Sequence, residues 1–163
     1  MKRMWLVPAL ALLLVMLAGC GKSAGQTEDT VDLNAFFDSL SKEYDWGNGY
    51  MEAIPDDLLD DYYPGLSDYT FQQKVIRAPA MSAVVNEVAL LECESDTDAE
   101  AVQKLLQKRA DDQAAGGAWY PESMDAWGEA EVIRHGSYVA LIACAEHQSE
   151  ISDKFNALFE TQN

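Results

Sequence analysis

The chain has 163 residues, and 28 acidic against 11 basic side chains leave a formal charge of −17 at pH 7. Such a surface repels phosphates and anionic headgroups, which excludes nucleic-acid binding and a polybasic membrane contact. Past an apolar N-terminal segment, about 130 residues remain, enough for one compact domain and too few for a two-lobed solute-binding protein.

Lys2 and Arg3 precede an apolar run from Trp5 to Leu17, which closes on Leu17-Ala18-Gly19-Cys20. The run is too short and wrongly flanked for a spanning helix and reads as a secretory signal. The small pair before the cysteine resembles the cleavage site of bacterial lipoproteins. That resemblance implies loss of residues 1–19, a diacylglycerol and palmitate-type acylation on Cys20, and a place on the extracytoplasmic face of the cell membrane. Two buried acyl chains, at roughly 0.8 kcal/mol per methylene, hold where one would leave. Cleavage removes Lys2 and Arg3 and no acid, so the mature chain is more acidic still. Residues 20–30 have no bulky apolar side chain after Cys20 and read as a solvated tether, leaving a single domain at 31–163.

Leu33, Phe36, Phe37, Leu40 and Tyr44 fall on one helical stripe, with Thr30 or Asp32 placed to cap it and Gly47-Asn48-Gly49 to end it. Pro55 starts a short acidic turn or helix, Asp56 to Tyr63, closed by Pro64-Gly65. Tyr69 to Arg77, stopped by Ala78-Pro79, and Glu87 to Cys93 read as strands, but poor alternation leaves their buried faces undefined. Thr97 and Glu100 form a capping box for a helix lined by Ala99, Val102, Leu106 and Ala110, with Gly116-Gly117 as its stop. Trp119 to Trp127 reads as an aromatic connection broken by Pro121. Glu131 to Arg134 and Tyr138 to Ala145 form a hairpin around His135-Gly136-Ser137. Ser149 is placed to cap a last helix that buries Ile151, Phe155, Leu158 and Phe159. This order predicts an α+β domain: a small, mostly antiparallel four-stranded sheet with amphipathic helices packed on one face.

Arg77-Ala78-Pro79-Ala80-Met81 resembles the Arg-x-Pro-x-Met junction of one family. Trp119-Tyr120-Pro121-Glu122-Ser123-Met124, Val132, Gly136-Ser137-Tyr138-Val139 and the closing helix resemble that family's second half. The family is the Gram-positive (Firmicutes) lipoprotein domain catalogued as domain of unknown function 4358. The resemblance spans roughly Met51 to Phe159 and implies a domain type and a location but no site residue. The acidic Asp56–Asp61 segment and the tryptophans Trp46 and Trp127 depart from its pattern.

Asp56, Asp57, Asp60 and Asp61 are the foremost metal candidates, since hard cations such as calcium take several carboxylate oxygens. No Asp-x-Asp-x-Asp-Gly loop frames them, and Leu58-Leu59 suits an amphipathic turn, so the expected reading is a solvated acidic face, with no metal and no cofactor beyond the lipid. Asp111-Asp112 carries less. His135 and His147 are the only histidines, without zinc-ligand spacing, and no nucleophile elbow or phosphate loop occurs. Cys93 and Cys144 read as two free, buried thiols rather than a disulfide. Trp119, Tyr120 and Trp127, with Tyr62 and Tyr63, are divided between core packing and a surface for a glycan or a partner protein. Arg77 could hold a carboxylate ligand, though an internal ion pair is the expected role. The sequence reads as a non-enzymatic binding or accessory module of the envelope, partnered by an envelope protein or a cell-wall component. A calcium-dependent extracytoplasmic enzyme and a purely structural envelope protein are the alternatives.

Overall fold

The apolar stripe near the start forms α1 (Leu33–Glu43), which buries Leu33, Phe36, Phe37 and Leu40. In the computed structural model, which describes residues 31–47, 49–81 and 84–160, Asp32 caps this helix by accepting from the Ala35 amide at 2.9 Å. A short strand β1 (Met51–Ala53), a 3₁₀ turn at Asp56–Leu58 and the one-turn helix α2 (Leu59–Tyr62) follow. Next come β2 (Phe71–Pro79), β3 (Asn86–Cys93), α3 (Asp96–Asp112) and α4 (Pro121–Gly128). The hairpin β4 (Glu131–His135) and β5 (Tyr138–Cys144) leads into α5 (Gln148–Glu160). The strands form one antiparallel sheet in the order β1-β2-β3-β5-β4.

The predicted α+β class and antiparallel sheet are present, with five strands rather than four. Helices cover both faces of the sheet rather than one. Val88 and Leu90 of β3, with Val75, Ala140 and Ile142, pack under α1 and α5. The intervening Ala89, Leu91 and Cys93, with Ile76, Val139, Leu141 and Ala143, pack under α3, α4 and the Leu59–Leu66 segment. All eight residues of β3 are buried. A strand covered on both faces has no polar side to alternate with, which is why its sequence shows no period of two. β1 has three residues, too few for any periodic signal, and forms because β2 offers it a free edge, Met51 pairing with Pro79 and Ala53 with Arg77. That pairing carries β2 past the expected stop to Pro79, whose missing amide is tolerated at a strand end.

Three local expectations are corrected. α3 begins two residues before the proposed Thr97 box: Ser95 Oγ accepts from the Asp98 amide at 3.1 Å and donates to the Asp98 carboxylate at 2.7 Å. Glu100 instead pairs with Lys104 one turn on, at 2.7 Å. Ser149 lies inside α5, whose first residue Gln148 accepts from the Cys144 amide and donates to the Ile142 carbonyl, both at 2.9 Å. The Trp119–Trp127 connection contains a helix, because Pro121 occupies the first helical position of α4, where its missing amide is harmless. Gly116 does end α3 as expected, taking φ +128° at the close of a wide turn.

Cys93 and Cys144 are free and buried, on opposite faces of the sheet. Cys93 pairs across to Phe71 and Cys144 to Asn86, at opposite ends of β3. Burial, with help from Asp98 and Glu92, pushes the Cys93 thiol up to about 11, and burial pushes Cys144 up to about 12. A Cys20→Ser chain should therefore show no reactive thiol when native and two in denaturant without reductant. Unfolded thiols ionise near 8.5, while the folded ones keep their protons to about 11 and 12. This contribution is whole below about pH 8.5 and is lost as pH rises through that window. Melting temperature should fall above pH 9, and less steeply in Cys144→Ala; an identical slope would contradict the assignment.

Candidate functional site

At the end of the sheet where β2 leaves and β3 enters, β3 carries Glu87 into the core at 4% exposure. An isolated buried carboxylate is costly, and the fold answers it with Arg109 from the last turn of α3. Nε donates to Glu87 Oε1 at 3.1 Å and Nη2 to Oε2 at 2.8 Å. The Tyr63 hydroxyl donates to Glu87 Oε1 at 2.6 Å. Tyr62 and Trp127 each lie 5.2 Å from the guanidinium, with Tyr63 at 5.8 Å. Burial works against the Arg109 charge, but the hydrogen bond and charge of Glu87 outweigh it and raise its pKa. Burial, then the Glu87 charge, holds the Tyr63 hydroxyl well above its usual value. The ion pair is therefore closed, and both of its charges are occupied internally.

Two adjoining clefts open over this cluster. One of about 180 Å³ is lined by Tyr62, Asn86, Glu87, Arg109, Gln113 and Trp127, among others. The other, about 380 Å³, shares Val85, Gln113 and Trp127 with it and adds Trp119, Tyr120 and the buried Ser123. Asn86 also walls a third cleft of about 390 Å³ on the α1 side, with Tyr44, Trp46, Tyr50 and His147. Asn86 is 6% exposed, and its Oδ1 has no hydrogen-bond partner among the described residues. Trp119 is 88% and Tyr120 58% exposed, and Tyr50 and Met81 are exposed at the same end.

Backbone strain concentrates here as well. Asp45, Trp119 and His147, the described non-glycine residues at positive φ, all line these clefts. For a bulky side chain the left-handed region costs on the order of 1–2 kcal/mol. Strain of this kind persists where the surrounding structure over-determines it, and it clusters at working sites.

The sequence candidates separate. Trp119 and Tyr120 form an exposed pair, whereas Trp127, six per cent exposed, belongs to the core. Arg77 lies on the opposite face with its guanidinium 5.4 Å from the Phe37 ring, donates to the Ile76 carbonyl, and makes no ion pair among the described residues. The expected internal ion pair is made by Arg109 instead. Of the aspartates, Asp56 pairs with Lys74 at 2.5 Å, and Asp60 ties the following turn through the Gly65 and Ser67 amides and the Ser67 hydroxyl. Asp57 and Asp61 are exposed. Among the described residues no three His, Cys, Asp or Glu side chains group as metal ligands. Cys20 lies outside the described residues. Sequence reasoning missed Glu87, Asn86, Arg109 and Gln113. One signal was available for Glu87: a carboxylate inside an apolar run requires a partner.

The sheet and its two helical layers define a small α+β domain with an internally neutralised ion pair beneath a set of aromatic-rimmed clefts. The chain belongs to the family described as domain of unknown function DUF4358, whose sequence model matches residues 44–144. No curated protein and no solved structure matches the chain significantly.

Proposed function

We propose that the chain is a non-enzymatic binding module of the cell envelope, held on the extracytoplasmic face of the membrane through a lipid on Cys20. The Leu17-Ala18-Gly19-Cys20 sequence supports the anchor. The observation that carries the binding role is the Trp119–Tyr120 pair, held on a strained backbone and exposed beside the clefts. Aromatic anchors with a polar rim dominate recognition surfaces, and a loop on a rigid scaffold is where such anchors sit.

The anchor is tested by fractionation and intact mass. Cys20→Ser should leave the membrane or accumulate as an uncleaved precursor, and a wild-type mature form without lipid mass on Cys20 contradicts the reading. Binding is tested by crosslinking in intact cells. Trp119→Gly should lose the partner captured by wild type while gaining about 1 kcal/mol of stability from relief of the positive φ. Unchanged capture in that variant removes the proposed surface.

A further inference from the structure

We infer that β4 pairs with the same strand of a second copy of this chain, antiparallel about a two-fold axis at Ile133, so that one sheet runs through both copies. The inference goes beyond the binding-module reading and does not depend on it.

The sheet has two edges, and the chain treats them differently. At one, β1 is three residues long, and Pro55, which has no amide, follows two residues later. Short strands and prolines are how natural sheets blunt an edge. At the other, β4 runs in unbroken register with β5 and has no proline, lysine or bulge. Its faces are covered, with Val132 packed in the α3 cluster and Ile133 in the α1–α5 cluster. Its outer edge pairs with no strand. The two-residue turn at Gly136-Ser137 makes His135 and Tyr138 a hydrogen-bonded pair, so Ile133 and Glu131 also bond to β5. The amides and carbonyls of Val132 and Arg134 therefore point outward, with no hydrogen bond among the described residues.

Outward groups at two positions leave few two-fold registers. Centring on Arg134 sets like charges opposite each other, which is destabilising. Centring on Val132 pairs Arg134 with Ala130, outside the strand. Centring on Ile133 sets Val132 against Arg134 of the second copy and Arg134 against its Val132, closing all four outward groups of each strand. The side chains suit this register. The two Ile133 residues meet at the axis. Glu131, which makes no ion pair among the described residues, faces His135 of the second copy. That imidazole is fixed by stacking 4.4 Å from the Phe159 ring and by Asn156 Oδ1 at 2.8 Å from Nε2, which leaves Nδ1 for the carboxylate. The formal charge of −17 on each copy opposes association, so pairing should tighten as salt screens it.

Sedimentation and thiol crosslinking of the full chain in detergent test this, with the unsubstituted chain as baseline. The unsubstituted chain should show a monomer–dimer equilibrium whose dimer fraction rises with concentration and with salt. The two Ile133 form a non-hydrogen-bonded pair, with α-carbons about 4.5 Å apart, a separation that a disulfide spans. The two Val132 are diagonal neighbours, about 7–8 Å apart. Mild oxidation should therefore link Ile133→Cys into a covalent dimer at least tenfold faster than Val132→Cys. Val132→Pro should abolish both the sedimenting dimer and the Ile133→Cys crosslink. Its melting temperature, compared at monomer concentrations, should be nearly unchanged, because the lost amide makes no bond to β5 and an edge strand tolerates proline. A monomer at every concentration, equal crosslinking at the two positions, or a dimer that survives Val132→Pro overturns the inference. A monomeric chain that captures an extended segment of another protein, and loses it in Val132→Pro, also overturns it by assigning the edge to that partner.

Discussion

Replacing Arg109 with methionine should cost about 3–5 kcal/mol of stability, the range for removing one partner of a buried ion pair. Met fills much of the Arg volume, so the loss is electrostatic rather than a cavity. The variant strands a carboxylate that is 5% exposed as a side chain, and the Tyr63 hydroxyl alone cannot neutralise it. Glu87→Leu should destabilise comparably by leaving a guanidinium, 15% exposed, between three aromatic rings. The double variant should recover most of the loss, because replacing both members of such a pair with apolar groups is often neutral or better. Urea midpoints for the four chains give the coupling energy directly. Additive losses, or single losses below about 1 kcal/mol, would mean that water screens the pair as at a surface.

Trp127→Ala should rank beside it. Trp127 is 6% exposed and packs in the cluster under α3 and α4, and truncating a buried tryptophan costs roughly 3–5 kcal/mol. It also removes one of the rings flanking Arg109, so the effect should be smaller in an Arg109→Met background, as expected of residues in contact. For a domain of this size the melting temperature should fall by roughly 10 °C or more. Trp119→Ala, eight residues earlier in the chain and 88% exposed, should leave the melting temperature nearly unchanged. Equal destabilisation by both variants would place Trp119 in the core and dissolve the candidate surface.

Whatever depends on neighbours within a few residues was legible in the chain. The stripes Leu33–Leu40 and Ala99–Ala110 needed only the 3.6-residue period, which one helix expresses by itself. Gly136 takes φ +57° at the head of a two-residue hairpin turn, as glycine between two apolar runs suggests. The family match over residues 44–144 agrees with the Arg77–Met81 and Trp119–Met124 motifs. Trp119 and Trp127, by contrast, each follow an alanine in one aromatic segment, and only the packing of α4 shows that Trp127 is buried beside Arg109 while Trp119, before the helix, is exposed.

The layering and the site were decided by the tertiary structure. β3 and β5 lie between two helical layers, so the alternation that would have revealed their faces is erased by burial on both sides. Glu87 meets Arg109 across 22 residues, and Asn86 borders two clefts because it stands at the entry of β3 beside the end of β2. Local periodicity encodes which side of an element is apolar. It carries no information about which distant element will cover that side, because that choice is made by packing among segments far apart in the chain.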